Sequence, residues 1–329
     1  MRVLVVGASG AIGAHLVPQL RARGHEVFGS SRSADRAGRI RALGAEPLVL
    51  DALDAQAART AVAAIRPDAI IYEATALADL RDFKHFDRSF AQTNRLRTEG
   101  TDILLAAARE AGVRRVVAQS YALHRYARTG GPVKTEDDPL DPAPAAAMRQ
   151  TLAAMTHLEQ AVTDAGGIAL RYGNFYGDAN DGLVTAVRAR QFPIVGHGSG
   201  VWSHIHLDDA AGATVLALEY DGPAIFNIVD DEPAPVSVWL PALASIAGAK
   251  PPRRFPRWLA RLFAGEAVVV MATESRGASN AKAKRELGWT LRYPSWRQGF
   301  QAAYGRSREL TATSAGAGRQ RSSAGSEAS

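Results

Sequence analysis

The densest chemical signal in this chain is Gly7-Ala8-Ser9-Gly10-Ala11-Ile12-Gly13. It follows the apolar run Arg2-Val3-Leu4-Val5-Val6 and precedes a helix-forming stretch from His15 to Arg23. Glycines at this spacing between a strand and a helix make the phosphate-binding turn of a βαβ dinucleotide site. Gly7 permits a tight turn, Gly10 lets the backbone approach a pyrophosphate, and Gly13 lets the helix pack against the strand. The helix start, with Ser9, Ala11 and Ile12, offers unpaired N–H groups to an anion. The turn therefore predicts a bound dinucleotide.

The end of the next strand indicates which one. Gly24 ends the first helix, and Glu26-Val27-Phe28-Gly29-Ser30 reads as a strand running into Ser31-Arg32-Ser33. A free ribose 2′-hydroxyl is usually held at this strand tip by an Asp or Glu, and none stands here. Arg32 offers a planar cationic fork, and the hydroxyl of Ser31 beside it suits a 2′-phosphate. NADP(H) is expected in preference to NAD(H).

These residues need a scaffold, and the rest of the chain supplies one. Strands are expected at Leu48–Leu50, Asp68–Tyr72, Val113–Gln119 and Ile168–Tyr172. Helices are expected at Ala55–Ile65, from Asp87 to Gly112, and through about Ala165. Alternation of this kind implies an α/β fold: a Rossmann-type, doubly wound parallel sheet with right-handed crossovers. Residues 1–173 read as the nucleotide-binding domain, with a later return at about 203–230. Residues 174–305 read mainly as a smaller C-terminal substrate-binding lobe, and residues 306–329 as a disordered tail poor in large apolar side chains.

Composition narrows the function. With 329 residues and 47% hydrophobic content the chain can bury a sizeable core. It has no cysteine, which excludes disulfides and thiolate metal sites and fits a reducing cytoplasm. No apolar run is long enough to span a membrane. The net charge of +6 is scattered rather than striped, so no nucleic-acid partner is expected. His204 and His206 stand without a spaced ligand set, so no metal site is expected. The partner implied is a small molecule, and the long Asp87–Gly112 helix offers a face for a homodimer.

Taken in order, the motifs resemble the extended short-chain dehydrogenase/reductases, in the epimerase/dehydratase branch. The resemblance runs to about Tyr304. It is carried by the glycine turn, Asp51-Ala52-Leu53-Asp54, Ala74-Thr75-Ala76, and Asn94 followed by Gly100-Thr101. Further along stand Leu170-Arg171-Tyr172-Gly173-Asn174-Phe175-Tyr176-Gly177, His204-Ile205-His206-Leu207-Asp208-Asp209, and Glu286-Leu287-Gly288-Trp289. The resemblance implies that Asp51 and Ala52 border the adenine and that Ala74, Thr75 and Ala76 pass under the cofactor. It also implies that Asn94 lies in the site helix, and that Asn174 and Phe175 approach the nicotinamide.

The same resemblance exposes a departure. The family usually carries Tyr-x-x-x-Lys on the helix before strand six, where lysine and ribose lower the tyrosine pKa for proton exchange with substrate. The five lysines here, Lys84, Lys134, Lys250, Lys282 and Lys284, follow Leu80, Gly130, Ile246, Ala278 and Asn280 by four positions, and never a tyrosine. By offset from Glu159, Thr151 stands at the tyrosine position and Met155 at the lysine position. Ser120 or Tyr121, after strand five, occupies the place of the family's catalytic Ser/Thr; Ser120, Tyr121 and Thr151 are thus the catalytic candidates. The favoured expectation is an NADP(H)-dependent reductase acting on a carbonyl or activated double bond of a hydrophobic small molecule. The alternatives are a non-catalytic NADP(H) sensor or scaffold and a nucleotide-sugar epimerase or dehydratase, the latter opposed by the missing pair.

Overall fold

A computed structural model describes residues 1–77, 82, 84–122, 124–178 and 182–305. The expected tail at 306–329 lies outside the described residues.

Chain order begins β1 (Arg2–Val6), α1 (Gly13–Ala22), β2 (Glu26–Ser31), α2 (Ala37–Ala42), β3 (Glu46–Val49), α3 (Ala55–Ile65) and β4 (Ala69–Tyr72). It continues α4 (Phe86–Ser89), α5 (Ala91–Arg95), a π-turn (Leu96–Gly100), α6 (Thr101–Glu110), β5 (Arg115–Tyr121), β6 (Val133–Lys134), α7 (Arg149–Asp164) and β7 (Ile168–Tyr172). Then come β8 (Asn174–Tyr176), α8 (Gly182–Arg188), β9 (Ile194–Val195), β10 (Val201–Trp202), β11 (His204–His206), α9 (Leu207–Ala217) and β12 (Ala224–Ile228). The last elements are β13 (Ala234–Pro235), α10 (Val236–Ile246), β14 (Arg254–Phe255), α11 (Arg257–Ala264), α12 (Glu266–Thr273), β15 (Gly277–Ala278), α13 (Ala281–Leu287) and α14 (Trp296–Tyr304).

Seven strands form one parallel sheet in the order β12-β7-β5-β4-β1-β2-β3. The central strands are buried on both faces, as near-continuous Val/Ile/Leu/Ala runs require when helices cover both sides. One apolar layer, including Leu16, Val17, Leu20, Ala210 and Ala213, packs α1 and α9 on one face; the other, including Val62, Leu104 and Leu158, packs α3, α6 and α7. A separate cluster built on Trp239, Leu240, Leu243, Trp296 and Phe300 fills the C-terminal part.

The seventh strand, β12, lies in the stretch of about 203–230 where a return to the first domain is expected; its five residues include the polar Asn227 and follow a Gly-Pro turn, so no long apolar run announces its bounds. One expectation is corrected. The expected helix from Asp87 to Gly112 is broken into α4, α5, the π-turn and α6. The Tyr72 hydroxyl donates to the Leu96 carbonyl at 2.7 Å, and a Cβ on Gly100 would meet the Tyr72 oxygen at 2.4 Å. The tyrosine thus wedges into the helix, and a widened turn absorbs it.

Helix α7 is fixed by polar contacts at its start and by a buried ion cluster in its second half. Asp87 accepts from the amides of Gln150 and Thr151 at 3.0 and 2.9 Å, capping the first turn from another element. Two turns on, Glu159 is 3% exposed and receives the forks of both Arg125 and Arg171, with the Ser120 hydroxyl at 2.5 Å. Burial alone would raise the Glu159 carboxyl, but the two guanidinium groups hold it below the usual carboxylate range.

Replacing Glu159 by Gln should cost about 3–5 kcal/mol, because it leaves two buried guanidinium groups facing a neutral amide. The folded-state pKa of Glu159 is depressed, so its contribution is complete above the unfolded carboxylate value of about 4.3 and fades as pH falls below it. Denaturant melts at pH 7 and pH 4 check this: the variant's deficit should shrink on acidification. An unchanged midpoint at pH 7 would show that the cluster contributes nothing net.

Candidate active site

The turn after β1 has the geometry that its sequence requires. Gly7 adopts φ +95°, and a Cβ there would sit 2.9 Å from the Ala74 amide nitrogen. A Cβ on Gly13 would come within 2.1 Å of the Ala8 carbonyl, so α1 packs on the turn at a distance only glycine allows. The Gly7 amide donates to the Ser30 hydroxyl at 3.3 Å and Ala8 N–H to the Ser30 carbonyl at 3.0 Å, which ties the turn to the β2 tip. Ser30 was not foreseen in this role; a hydroxyl at the strand end was the available signal. Among the described residues the amides of Ser9, Ala11 and Ile12 have no acceptor. Orphan amides at the start of a ten-residue helix fit a cofactor diphosphate.

The β2 tip places Ser31, 8% exposed, beside an exposed Arg32 with no ion pair among the described residues. Arg36, on the following turn, is also exposed. Asp51 accepts from the Leu53 amide at 3.0 Å next to a buried Ala52, and Asp54 caps α3. The Ala74-Thr75-Ala76 loop is held down by the Ala76 amide donating to Thr93 Oγ1 at 3.1 Å. Below it, burial pushes the Glu73 carboxyl up to about 8, so the group stays neutral at pH 7 and does not repel an approaching phosphate.

The three catalytic candidates do not share one surface. Ser120 is fully buried and donates to Glu159, so its hydroxyl serves the ion cluster. Thr151 is 3% exposed; its hydroxyl donates to Asp87 at 2.7 Å and accepts from Asn94 Nδ2 at 3.0 Å. Its one proton is committed, and Met155, one turn on, is buried and apolar. Tyr121 differs: it is half-buried, and its phenol donates to Asn174 Oδ1 across the ends of β5 and β8. Burial raises the phenol above its ordinary value, and Arg97 pulls it back. Phe175 leans on Tyr172 with ring centroids 5.1 Å apart.

His124 adopts φ +64°, accepts or donates at Ser275 Oγ, 2.6 Å away, and meets Trp202 edge-on at 5.4 Å. Burial lowers its pKa to about 3, so it is neutral. Phe192 and Trp239 continue this aromatic wall, whereas Trp258 and Phe263 are 69% and 71% exposed on α11. His206 caps α9 by accepting from the Asp208 amide at 3.0 Å, and His204 sits among Trp239, Trp296 and Phe300. Among the described residues no group of His, Asp or Glu could hold a metal ion.

Besides Ser30, sequence reasoning missed two residues here. Asp87 binds from a distant element and left no local signal. Arg97 lies on the π-turn, 4% exposed, three residues before Gly100; a cation on a helix face bounded by Leu96 and Gly100 was the trace it left.

Comparison with known proteins agrees with this geometry. The sequence model of the NAD dependent epimerase/dehydratase family matches residues 3–228. The chain is 45% identical over 308 residues to 3-diazoavenalumate denitrifying reductase from Streptomyces sp, covering 91% of this chain and 99% of that protein. It is 30% identical over 263 residues to 2-alkyl-3-oxoalkanoate reductase from Stenotrophomonas maltophilia, covering 76% of each. In fold it is similar to UDP-glucose 4-epimerase from Thermotoga maritima, with a TM-score of 0.73 at 21% identity, over 94% of this chain and 100% of that one. The enzyme from Thermus thermophilus, solved with NAD, gives a TM-score of 0.69 at 24% identity, over 92% of this chain and 98% of that one. Strand–turn–helix geometry, seven-stranded parallel sheet and family match together show that this chain belongs to the NAD dependent epimerase/dehydratase family.

Proposed function

We propose that the protein is an NADPH-dependent reductase whose acceptor takes a hydride without a proton from the helix pair, an aromatic diazo acid being the class that fits best. The observation that carries this reading is the state of α7: Thr151 has no proton free to give, and Met155 has no charge. Sugar epimerisation and dehydration need a base at that place, so the same observation opposes them.

A reduced dinucleotide held by its diphosphate at the Ser9, Ala11 and Ile12 amides would supply the hydride. Hydride addition to an arenediazonium forms a C–H bond, breaks the C–N bond and releases N2. The positive charge of the diazonium is cancelled by the hydride, so no proton is taken up. Such a substrate has no use for a tyrosine acid. The name of the Streptomyces relative at 45% identity supports the diazo class. The chain's own contribution is then to hold the cofactor at Ser9, Ala11 and Ile12, to recognise its 2′-phosphate at Arg32 with Ser31, and to wall the substrate with Tyr121, His124 and Trp202.

One observation favours a second reading, carbonyl reduction. The Tyr121 phenol, hydrogen-bonded to Asn174, is the nearest donor to the turn after β7, and two relatives are named as reductases of oxo compounds. A carbonyl oxygen gains negative charge on hydride addition and needs such a donor.

Incubation with NADPH carrying deuterium at the nicotinamide C4 and an arenediazonium carboxylate separates the readings. Deuterium should appear at the carbon that bore nitrogen; oxidation of NADPH only by ketones would replace the diazo reading with the carbonyl one. In Tyr121→Phe, ketone reduction should fall about a hundredfold, the low end for general acid catalysis. An equal fall with the diazo acid would show that a proton is required there and overturn the acid-free account. Thr151→Ala should change turnover little, since its hydroxyl only bridges Asp87 and Asn94; a loss of several orders of magnitude with NADPH binding intact would place it back in the chemistry. Arg32→Asp should narrow or reverse a preference for NADPH over NADH, because a carboxylate repels a 2′-phosphate and accepts from a 2′-hydroxyl. Equal calorimetric affinities of the unaltered protein for the two cofactors would refute the NADPH assignment.

A further inference from the structure

Arg97 is a buried cation with no hydrogen-bonded or ion-paired partner among the described residues. It sits on the π-turn that packs against α7, is 4% exposed, and among the described residues its guanidinium makes no hydrogen bond or ion pair; Nη1 is buried without any partner. Burial and the charge of Arg125 lower its pKa, to about 10, so it remains cationic at pH 7.

Among the described residues the charged and phenolic groups that act on it, Glu159, Tyr72 and Tyr121, already hold other partners. Both oxygens of Glu159 serve Arg125 and Arg171, and one also accepts from Ser120. Asp87 holds Gln150 and Thr151. The hydroxyls of Tyr72 and Tyr121 donate to the Leu96 carbonyl and to Asn174. Two further buried polar atoms beside this space lack partners, Asn94 Oδ1 and Asn174 Nδ2. Three guanidinium groups thus face one fully buried carboxylate, and the excess charge is that of Arg97.

We propose that Arg97 holds an oxyanion of the substrate, so that the site selects an aromatic acid or phenolate and not a cation. This rests on the reductase reading above and narrows its substrate. A ribose hydroxyl would satisfy one N–H but would leave the charge uncompensated, whereas an oxyanion answers both, and the guanidinium fork matches it in shape. Hydride transfer leaves a positive nicotinamide, which adds to the cost of a bare cation in the same space. A diazo substrate therefore has to bring its own oxyanion and enter as a neutral zwitterion or an anion.

The test is binding to the NADP+-loaded protein, measured by calorimetry with cinnamate, methyl 4-hydroxycinnamate and methyl cinnamate. In Arg97→Met, cinnamate affinity should fall by about thirtyfold or more, as for a desolvated charge pair, with NADP+ affinity unchanged and methyl cinnamate unaffected. Arg97→Lys should recover part of the loss. If the oxyanion is a phenolate, the loss appears instead with methyl 4-hydroxycinnamate and grows as pH rises toward the phenol pKa. A fall in NADP+ affinity with no change for either acid shows a ribose anchor and overturns the proposal. Without ligand, Arg97→Met should melt higher than the unaltered protein, because a buried unpaired charge is gone. A lower melting temperature marks a structural arginine and also overturns it. None of these readouts needs turnover: failed diazo reduction with Arg97-dependent acid binding refutes the function alone, and the reverse refutes the Arg97 assignment alone.

Discussion

The pair of arginine forks on Glu159 is the constraint on which the site depends. Arg125 follows β5, Arg171 lies on β7, and Glu159 lies on α7, so one carboxylate fixes the helix against two neighbouring strands. A buried ion cluster of this kind is costly to break and permits few alternative registers, whatever its net contribution to stability. It sets the height of Thr151 and Met155 over the sheet, and it takes the Ser120 hydroxyl out of the reaction space. Tyr121, the next residue along β5, is left as the donor that faces β8.

Charge is arranged around the cofactor space by burial as much as by pairing. Glu73 lies under the phosphate turn and is kept neutral by its apolar surroundings, whereas Glu159 in a comparably buried place stays ionised because two guanidinium groups face it. Asp87 serves as a remote cap of α7 and also immobilises Thr151. The start of α7 is thus held by hydrogen bonds to another element, and the glycine turn by contacts with Ala8 and Ala74, so the two are fixed independently.

The comparisons place the chain in a family whose matches here include proteins named as epimerases and as reductases. Structural similarity near 20% identity establishes the shared fold, and the 45% identity with a named reductase extends over nearly the full length.

The sequence by itself determined the glycine turn and the strand before it. Its signals are local: Gly7 and Gly13 are required by contacts with Ala74 and Ala8 that any other side chain would close, and the apolar run of β1 can only be a buried parallel strand between helices. The absence of a tyrosine–lysine pair was also legible, because it is a question of residue identity at a fixed spacing. Tertiary structure decided what the remaining polar groups do. Ser120 and Tyr121 are neighbours in sequence, yet strand alternation sends one into an ion cluster and the other toward Asn174. The break in the helix after Asp87 follows from a hydroxyl on β4, 24 residues away, and Asp87 meets Thr151 across 64 residues. Arg97 reads in sequence as one arginine among many. Only the packing of α7 against the π-turn removes it from water and leaves it without a hydrogen-bonded partner among the described residues.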